Sequence, residues 1–250
     1  MKIGIIGCGH VGGAMHELFK DAIVYDKLKG IGSKQEINQC DLAFVCVPTP
    51  MSKDGSCDTS MVEEVISWCE CKCLVLRSTV RVGFTAEMRK KYNKEIVFQP
   101  EYYGETVDHP FANLSIREWL TFGGTKSGIN LAIKAYQTVV NSNIRIYQCT
   151  SEEAEMAKYM ENAFLAMKVT FCNEMFDLCQ KIGVDYNSVR EIWTADKRIG
   201  TSHTFVFENS RGFGGSCFPK DIASLAFQGE QAGSDVSLLK AVIEKNKQYR

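Results

Sequence analysis

The chain reads as an α/β protein, with a doubly wound parallel sheet over residues 1–148 followed by an all-helical domain over 149–250 built on one long spine helix. Three observations predict this. Short apolar runs alternate with amphipathic stretches as far as about Gln148, and a glycine turn joins the first run to the first helical stretch. From Ser151 a helical period continues for roughly thirty residues, well above the usual helix length, with no proline or glycine before Gly183. The boundary falls near 148–150, with no low-complexity linker and no internal repeat.

The first strand is the apolar run at 2–7, and Gly7-Cys8-Gly9-His10-Val11-Gly12 follows at once. Val11, Ala14, Met15, Leu18 and Phe19 then recur at helical spacing, and a second apolar run, 22–25, ends in Asp26. Strand, glycine turn, helix, strand and acid, in that order, describe a Rossmann-type dinucleotide site. Gly7 permits the tight turn, Gly9 lets a pyrophosphate approach the backbone, and Gly12 lets the helix pack on the strand. His10 and Val11 open the helix, whose positive end faces the phosphates. Asp26 is placed to bind both hydroxyls of the adenosine ribose, which selects NAD over NADP.

Further strands are expected at 42–47, 73–76, 96–98, 120–122 and 144–147, with helices near 59–70, 82–92 and 127–140. In such sheets ligands lie at the carboxyl ends of the strands. Those ends read CVPTP at 46–50, RSTV at 77–80 and QPEYYGE at 99–105. Pro48, Thr49 and Thr79 are therefore candidate cofactor contacts, and Tyr102 and Tyr103 candidate substrate contacts. Glu101 and Glu105 are spaced to share one face of a helical turn and are candidates for proton transfer.

Apolar content of 45% and charged content of 24% are those of an ordinary globular protein. A net charge of -1 gives no support for nucleic-acid or anionic-membrane binding. No run of eighteen apolar residues exists and the N-terminus enters a strand directly, so neither a membrane span nor a signal peptide is expected. Eleven cysteines without a secretory signal suggest reduced thiols and a cytoplasmic location. Cys69, Cys71 and Cys73 form a CxCxC run whose spacing does not suit a zinc knuckle. It reads as a helix end and a strand start, and no metal is expected.

In the long helix, Lys158 and Asn162 lie at i and i+4, so an ammonium and an amide donor share a face on which an oxyanion could form. Helices near 186–194, 219–231 and 235–248 follow. Between them lies the densest cluster of reactive groups, Arg211 to Asp221 (RGFGGSCFPKD). Gly212, Gly214 and Gly215 clear the approach to Cys217, with Gly214 a candidate substrate contact. Lys220 and Asp221 put a cation and a carboxylate within one turn of the thiol, and a nearby cation favours the nucleophilic thiolate.

Taken together, GCGHVG at 7–12, CVPTP at 46–50, STV at 78–80, PEYYGE at 100–105, the run at 154–174, RIG at 198–200 and GFGGSCFPKD at 212–221 resemble the UDP-glucose/GDP-mannose dehydrogenase family. The resemblance implies oxidation of a nucleotide sugar's C6 alcohol to a carboxylate with two NAD, through a cysteine-bound thiohemiacetal and thioester. By motif, Cys217 resembles the nucleophile, and Lys158 and Asn162 the oxyanion stabilisers, with Asp221 assisting through a water. Glu105 and Thr79 resemble the residues that order that water, and Glu101 the carboxylate that activates water for thioester hydrolysis. Lys220 resembles a substrate contact. Arg198 resembles an arginine that reaches the neighbouring subunit's substrate, which implies a homodimer through the long helix.

Two departures accompany the resemblance. Members of that family are longer and end in a third, Rossmann-like domain, whereas this sequence stops at Arg250, and its connection from Asp26 to Asp41 is short. A two-electron hydroxyacid dehydrogenase of the 6-phosphogluconate type is one alternative, which a glycine-flanked Cys217 does not suit. A binding or assembly protein without activity is the other.

Overall fold

The computed structural model describes residues 1–102 and 118–250. They form two compact units, Met1–Pro50 with Cys57–Lys158, and Met51–Ser56 with Tyr159–Arg250.

In the first unit seven strands make one sheet: β1 (Ile3–Ile6), β2 (Ile23–Tyr25), β3 (Leu42–Val45), β4 (Cys73–Leu76), β5 (Ile96–Phe98), β6 (Trp119–Gly123) and β7 (Arg145–Cys149). Their order is β2-β1-β3-β4-β5-β6-β7, so the winding reverses between β1 and β3. The crevice beyond their carboxyl ends is the expected ligand position. Helix α1 (His10–Leu18) joins β1 to β2, and the four-residue α2 (Lys34–Ile37), capped by Ser33, leads to β3. Helices α3 (Ser60–Trp68), α4 (Phe84–Tyr92) and α5 (Lys126–Tyr136) connect the later strands.

The central strands are apolar throughout because both faces are covered. On one face Ala43, Val45, Leu74, Leu76, Ile96 and Phe98 pack with Val62, Ile66, Phe84 and Met88 from α3 and α4. On the other, Ile5, Phe44, Val75, Val97 and Phe122 pack with Met15 of α1 and Ile129 and Tyr136 of α5.

The sheet departs from the all-parallel expectation at one seam. β6 runs antiparallel to β5 and meets it at a single bridge, Phe98↔Gly123, while β6 and β7 are parallel across α5. Alternating apolar runs report that strands exist and carry no information on their direction. Helix α5 also stops at Tyr136, short of the expected 140, where the Tyr136 carbonyl accepts from Val139 and Val140 at 2.9 and 3.1 Å in a closing turn.

Helix α6 (Ser151–Ile182) spans 32 residues, and the division between the units runs through it after Lys158. Thr150 and Glu153 exchange backbone and side-chain hydrogen bonds at 2.8 and 3.2 Å, a capping box that starts the helix. Gly183, at φ +78°, ends it. The second unit adds α7 (Tyr186–Thr194), α8 (Phe218–Gln231) and α9 (Ser237–Lys247). Its main core joins Ala163 and Ala166 of α6 to Phe213, Ile222 and Val242.

Among the described residues, no helix is long and apolar enough to cross a membrane.

Candidate active site

At the end of β1, Gly7 adopts φ +88° and its N–H donates to the Tyr25 carbonyl at 2.8 Å. A Cβ at Gly7 would lie 2.9 Å from the Cys46 carbonyl oxygen, and one at Gly12 would lie 1.8 Å from the Gly7 carbonyl oxygen. Those two glycines are demanded by backbone packing. Gly9 differs, because a Cβ there would meet nothing within 4 Å. Among the described residues, the space beside Gly9 at the start of α1 is thus open. No side chain among the described residues caps that helix and no acid lies in its first turn, so the residues fit a phosphate-bearing cofactor.

Asp26, just after β2, accepts the Cys8 N–H on Oδ2 at 2.7 Å, and those of Leu28 and Lys29 on Oδ1 at 3.0 Å each. The Cys8 bond, opposed by burial and joined by the Lys29 and Leu28 bonds, holds its carboxyl below the usual range. A carboxylate offers about four acceptor positions, so Oδ2 keeps room for a hydroxyl.

The strand ends around this loop are tied to one another. Ser78 donates its hydroxyl to the Val47 carbonyl at 2.6 Å, linking RSTV to CVPTP. Thr49 is buried and Pro48 exposed. Thr79 is half-buried, and its carbonyl accepts the Cys57 thiol at 3.4 Å. Glu101 is buried in an ion pair with Arg77, whose Nη1 also donates to the carbonyls of Gln99 and Pro100 at 3.4 Å each. The Lys158 ammonium stands over the Tyr102 ring, 4.9 Å from its centroid. Glu101 itself is not helical. Tyr103 and Glu105 lie outside the described residues.

In the second unit Cys217 is exposed and occupies the N-cap of α8. Pro219, in the first turn, starts that helix. One turn on, buried Asp221 accepts the Asn162 amide at 2.6 Å and the Lys220 ammonium at 2.5 Å. Asn162, Lys220 and Asp221 are thereby one hydrogen-bonded set at the base of the cysteine helix. Lys158 precedes Asn162 by one turn of α6. Arg198 is exposed and paired with Asp196.

The glycine segment is gripped from two sides by residues the sequence reading did not single out. Asn246 of α9 accepts the Phe213 N–H at 2.7 Å and donates to the Phe213 carbonyl at 2.9 Å. Asn173 of α6 accepts from Arg211 Nε at 2.6 Å and from the Gly212 N–H at 3.2 Å. Gly212 sits at φ +67°, where a side chain would meet Asn246, and a Cβ at Gly214 would lie 2.1 Å from the Arg250 guanidinium. Asn246 left one signal, a polar side chain four residues after Val242 on the apolar face of its helix. Arg77, a charge directly after the apolar strand β4, left another. Cys69 and Cys71 bring their sulfurs to 3.5 Å at the end of α3, whereas Cys73 faces the opposite layer.

The UDP-glucose/GDP-mannose dehydrogenase family matches twice, through its NAD binding domain over residues 14–108 and its central domain over 152–248. UDP-glucose 6-dehydrogenase of Pseudomonas aeruginosa is 32% identical over 249 residues, covering 93% of this chain and 54% of that protein. UDP-glucose 6-dehydrogenase TuaD of Bacillus subtilis is 32% identical over 86% of this chain and 48% of its own length. The chain therefore spans about half the length of these curated relatives. A UDP-glucose dehydrogenase structure from Pyrobaculum islandicum superposes with a TM-score of 0.86 at 25% identity, over 99% of this chain and 68% of that one. Two domain matches, these relatives and this fold place the chain in the UDP-glucose/GDP-mannose dehydrogenase family, with that family's NAD-binding and central domains.

Proposed function

We propose that this protein oxidises the C6 alcohol of a nucleotide sugar, with UDP-glucose the first candidate, to the uronic acid, through a thiohemiacetal and a thioester on Cys217. The observation that carries the reading is the exposed Cys217 at the head of α8, one turn from a buried Asp221 bonded to Asn162 and Lys220. The named activity of the curated relatives supports the substrate class. We also propose the domain division at 148/149.

NAD would be held by the glycine turn and Asp26, and two NAD molecules in succession would each supply the hydride acceptor for one oxidation. The alcohol would lose its hydride from C6 and pass its hydroxyl proton to the water assigned to the Glu105 and Thr79 pair, becoming an aldehyde. Cys217 Sγ then adds to the aldehyde carbon, and the new alkoxide is stabilised by Lys158 and Asn162. Loss of a second hydride turns this thiohemiacetal into a thioester, and water, activated by Glu101, releases the carboxylate and regenerates the thiol. Asp221 orients Asn162 through the observed bond. Covalent capture is what makes the second step accessible, because a free aldehyde carbon has no alkoxide to drive hydride loss.

Exposed apolar side chains on α6, namely Met160, Phe164, Phe171, Leu178 and Ile182, recur at four- and seven-residue intervals and support a homodimer through this helix. Arg198, exposed, would then serve the neighbouring subunit's substrate. Lys220, Gly214, Tyr102 and Tyr103 remain the proposed substrate contacts, and Glu105 and Thr79 the proposed water-ordering pair. Eleven free cysteines fit a cytoplasmic setting.

A panel of UDP- and GDP-sugars with NAD, read as NADH formed per sugar, tests the reading. Two NADH per sugar is the expected result. One would favour the hydroxyacid alternative, and none with any sugar would reject the enzyme reading.

A further inference from the structure

We propose that Glu155 is a positioning residue of the coenzyme site, pinning the start of α4, and with it the Thr79 loop, to the helical turn that carries Lys158. The inference rests on the coenzyme role proposed for Thr79. Glu155 is completely buried, and nothing in the proposed chemistry uses it. Its Oε2 accepts the Gly83 N–H at 2.6 Å and its Oε1 the Thr85 N–H at 2.9 Å. Helix α4 has no side-chain cap of its own, since its N-cap is Gly83 at φ +87°. The carboxylate from α6 supplies that cap from 72 residues away in sequence.

The segment between β4 and α4 is short and held at both ends. At its start, the Arg77 and Ser78 N–H groups donate to the Val45 carbonyl at 2.8 and 3.2 Å, and Ser78 Oγ holds the Val47 carbonyl. At its end it is held by Glu155. Thr79 lies between these anchors, and Lys158 lies one turn after Glu155 on α6. One carboxylate therefore sets a coenzyme-loop residue and a candidate oxyanion stabiliser relative to each other. The residue type matters. Two converging N–H donors need two acceptor oxygens, and a glutamine would turn its NH2 group toward one of them.

Burial raises the Glu155 carboxyl to about 7, opposed by the Thr85 and Gly83 bonds and reinforced by Glu152 one turn earlier. The other charges at that end of α4, Arg81 and Glu87, pair with each other. The β6 end that meets Ala154 is Gly123, which carries no charge. Protonation removes an acceptor, so the grip on α4 loosens as pH falls through about 7.

The test is NADH binding without sugar, followed by fluorescence between pH 6 and 8.5. At pH 8 Glu155→Gln should bind NADH at least tenfold more weakly than the wild type. Wild-type affinity should fall severalfold between pH 8 and 6, and the Glu155→Gln profile should be flat. A folded Glu155→Gln protein that keeps the wild-type affinity and slope would overturn the proposal. A Glu152→Gln protein, which keeps Glu155 but removes the neighbouring charge that raises it, should show the same slope with its midpoint moved to lower pH; an unmoved midpoint overturns the proposal whether or not Glu155→Gln folds. A wild-type chain that binds no NADH at any pH would instead sink the coenzyme reading, and this inference with it.

Discussion

Asn246→Ala should loosen the segment that presents Cys217, at a cost that can be worked out from the bonds it makes. Asn246 and Phe213 are 8% and 5% exposed, so the two bonds between them are shielded from water. Truncation leaves the Phe213 N–H without the acceptor it has at 2.7 Å, and an orphaned buried donor costs about 1–3 kcal/mol. The Phe213 carbonyl also loses its 2.9 Å donor but keeps Arg250 Nε at 3.3 Å, so its loss is nearer ~1 kcal/mol. The sum is about 2–4 kcal/mol, a large share of ordinary stability. Asn246→Asp should be no milder, because its second oxygen would face the Phe213 carbonyl. Urea unfolding monitored by circular dichroism measures the cost, and iodoacetamide labelling of Cys217 followed by mass spectrometry reports the loop. A destabilisation below about 0.5 kcal/mol, with unchanged labelling, would refute the view that Asn246 holds the segment.

Gly12→Ala forces a methyl to 1.8 Å from the Gly7 carbonyl and should weaken NADH binding by more than tenfold, whereas Gly13→Ala meets nothing within 4 Å and should be neutral or slightly stabilising. Calorimetric titration separates the two, and equal effects would contradict the packing role given to Gly12. Arg77→Met strands the buried Glu101 carboxylate and should cost about 3–5 kcal/mol in urea unfolding, with Glu101→Gln recovering part of it. Purely additive losses would show the pair to be uncoupled. Phe164→Glu together with Met160→Glu should convert the proposed dimer to monomer in sedimentation velocity, and an unchanged coefficient would contradict an interface through α6.

Local patterns were legible and long-range partnerships were not. The glycine turn, α1 and Asp26 lie within a short stretch, so their order alone defined the coenzyme loop. Helix α6 was equally plain, because its period runs uninterrupted from Ser151 to Gly183. Asp221 was visible as a carboxylate one turn after Cys217, yet its bond to Asn162 crosses 59 residues. In the sequence Glu155 is one of three acids near the start of α6, with Glu152 and Glu153, and only the fold brings Gly83 and Thr85 to it. Helix α2 escaped notice because four residues are too few to display a period. The direction of β6 escaped because alternation is the same read forwards or backwards along a strand.

The most direct measurement is the yield of NADH and of uronic acid per sugar for wild-type protein and Cys217→Ser. The covalent account predicts two NADH and one acid for the wild type, and no acid for Cys217→Ser with NADH binding intact. Two NADH per sugar from Cys217→Ser would contradict it.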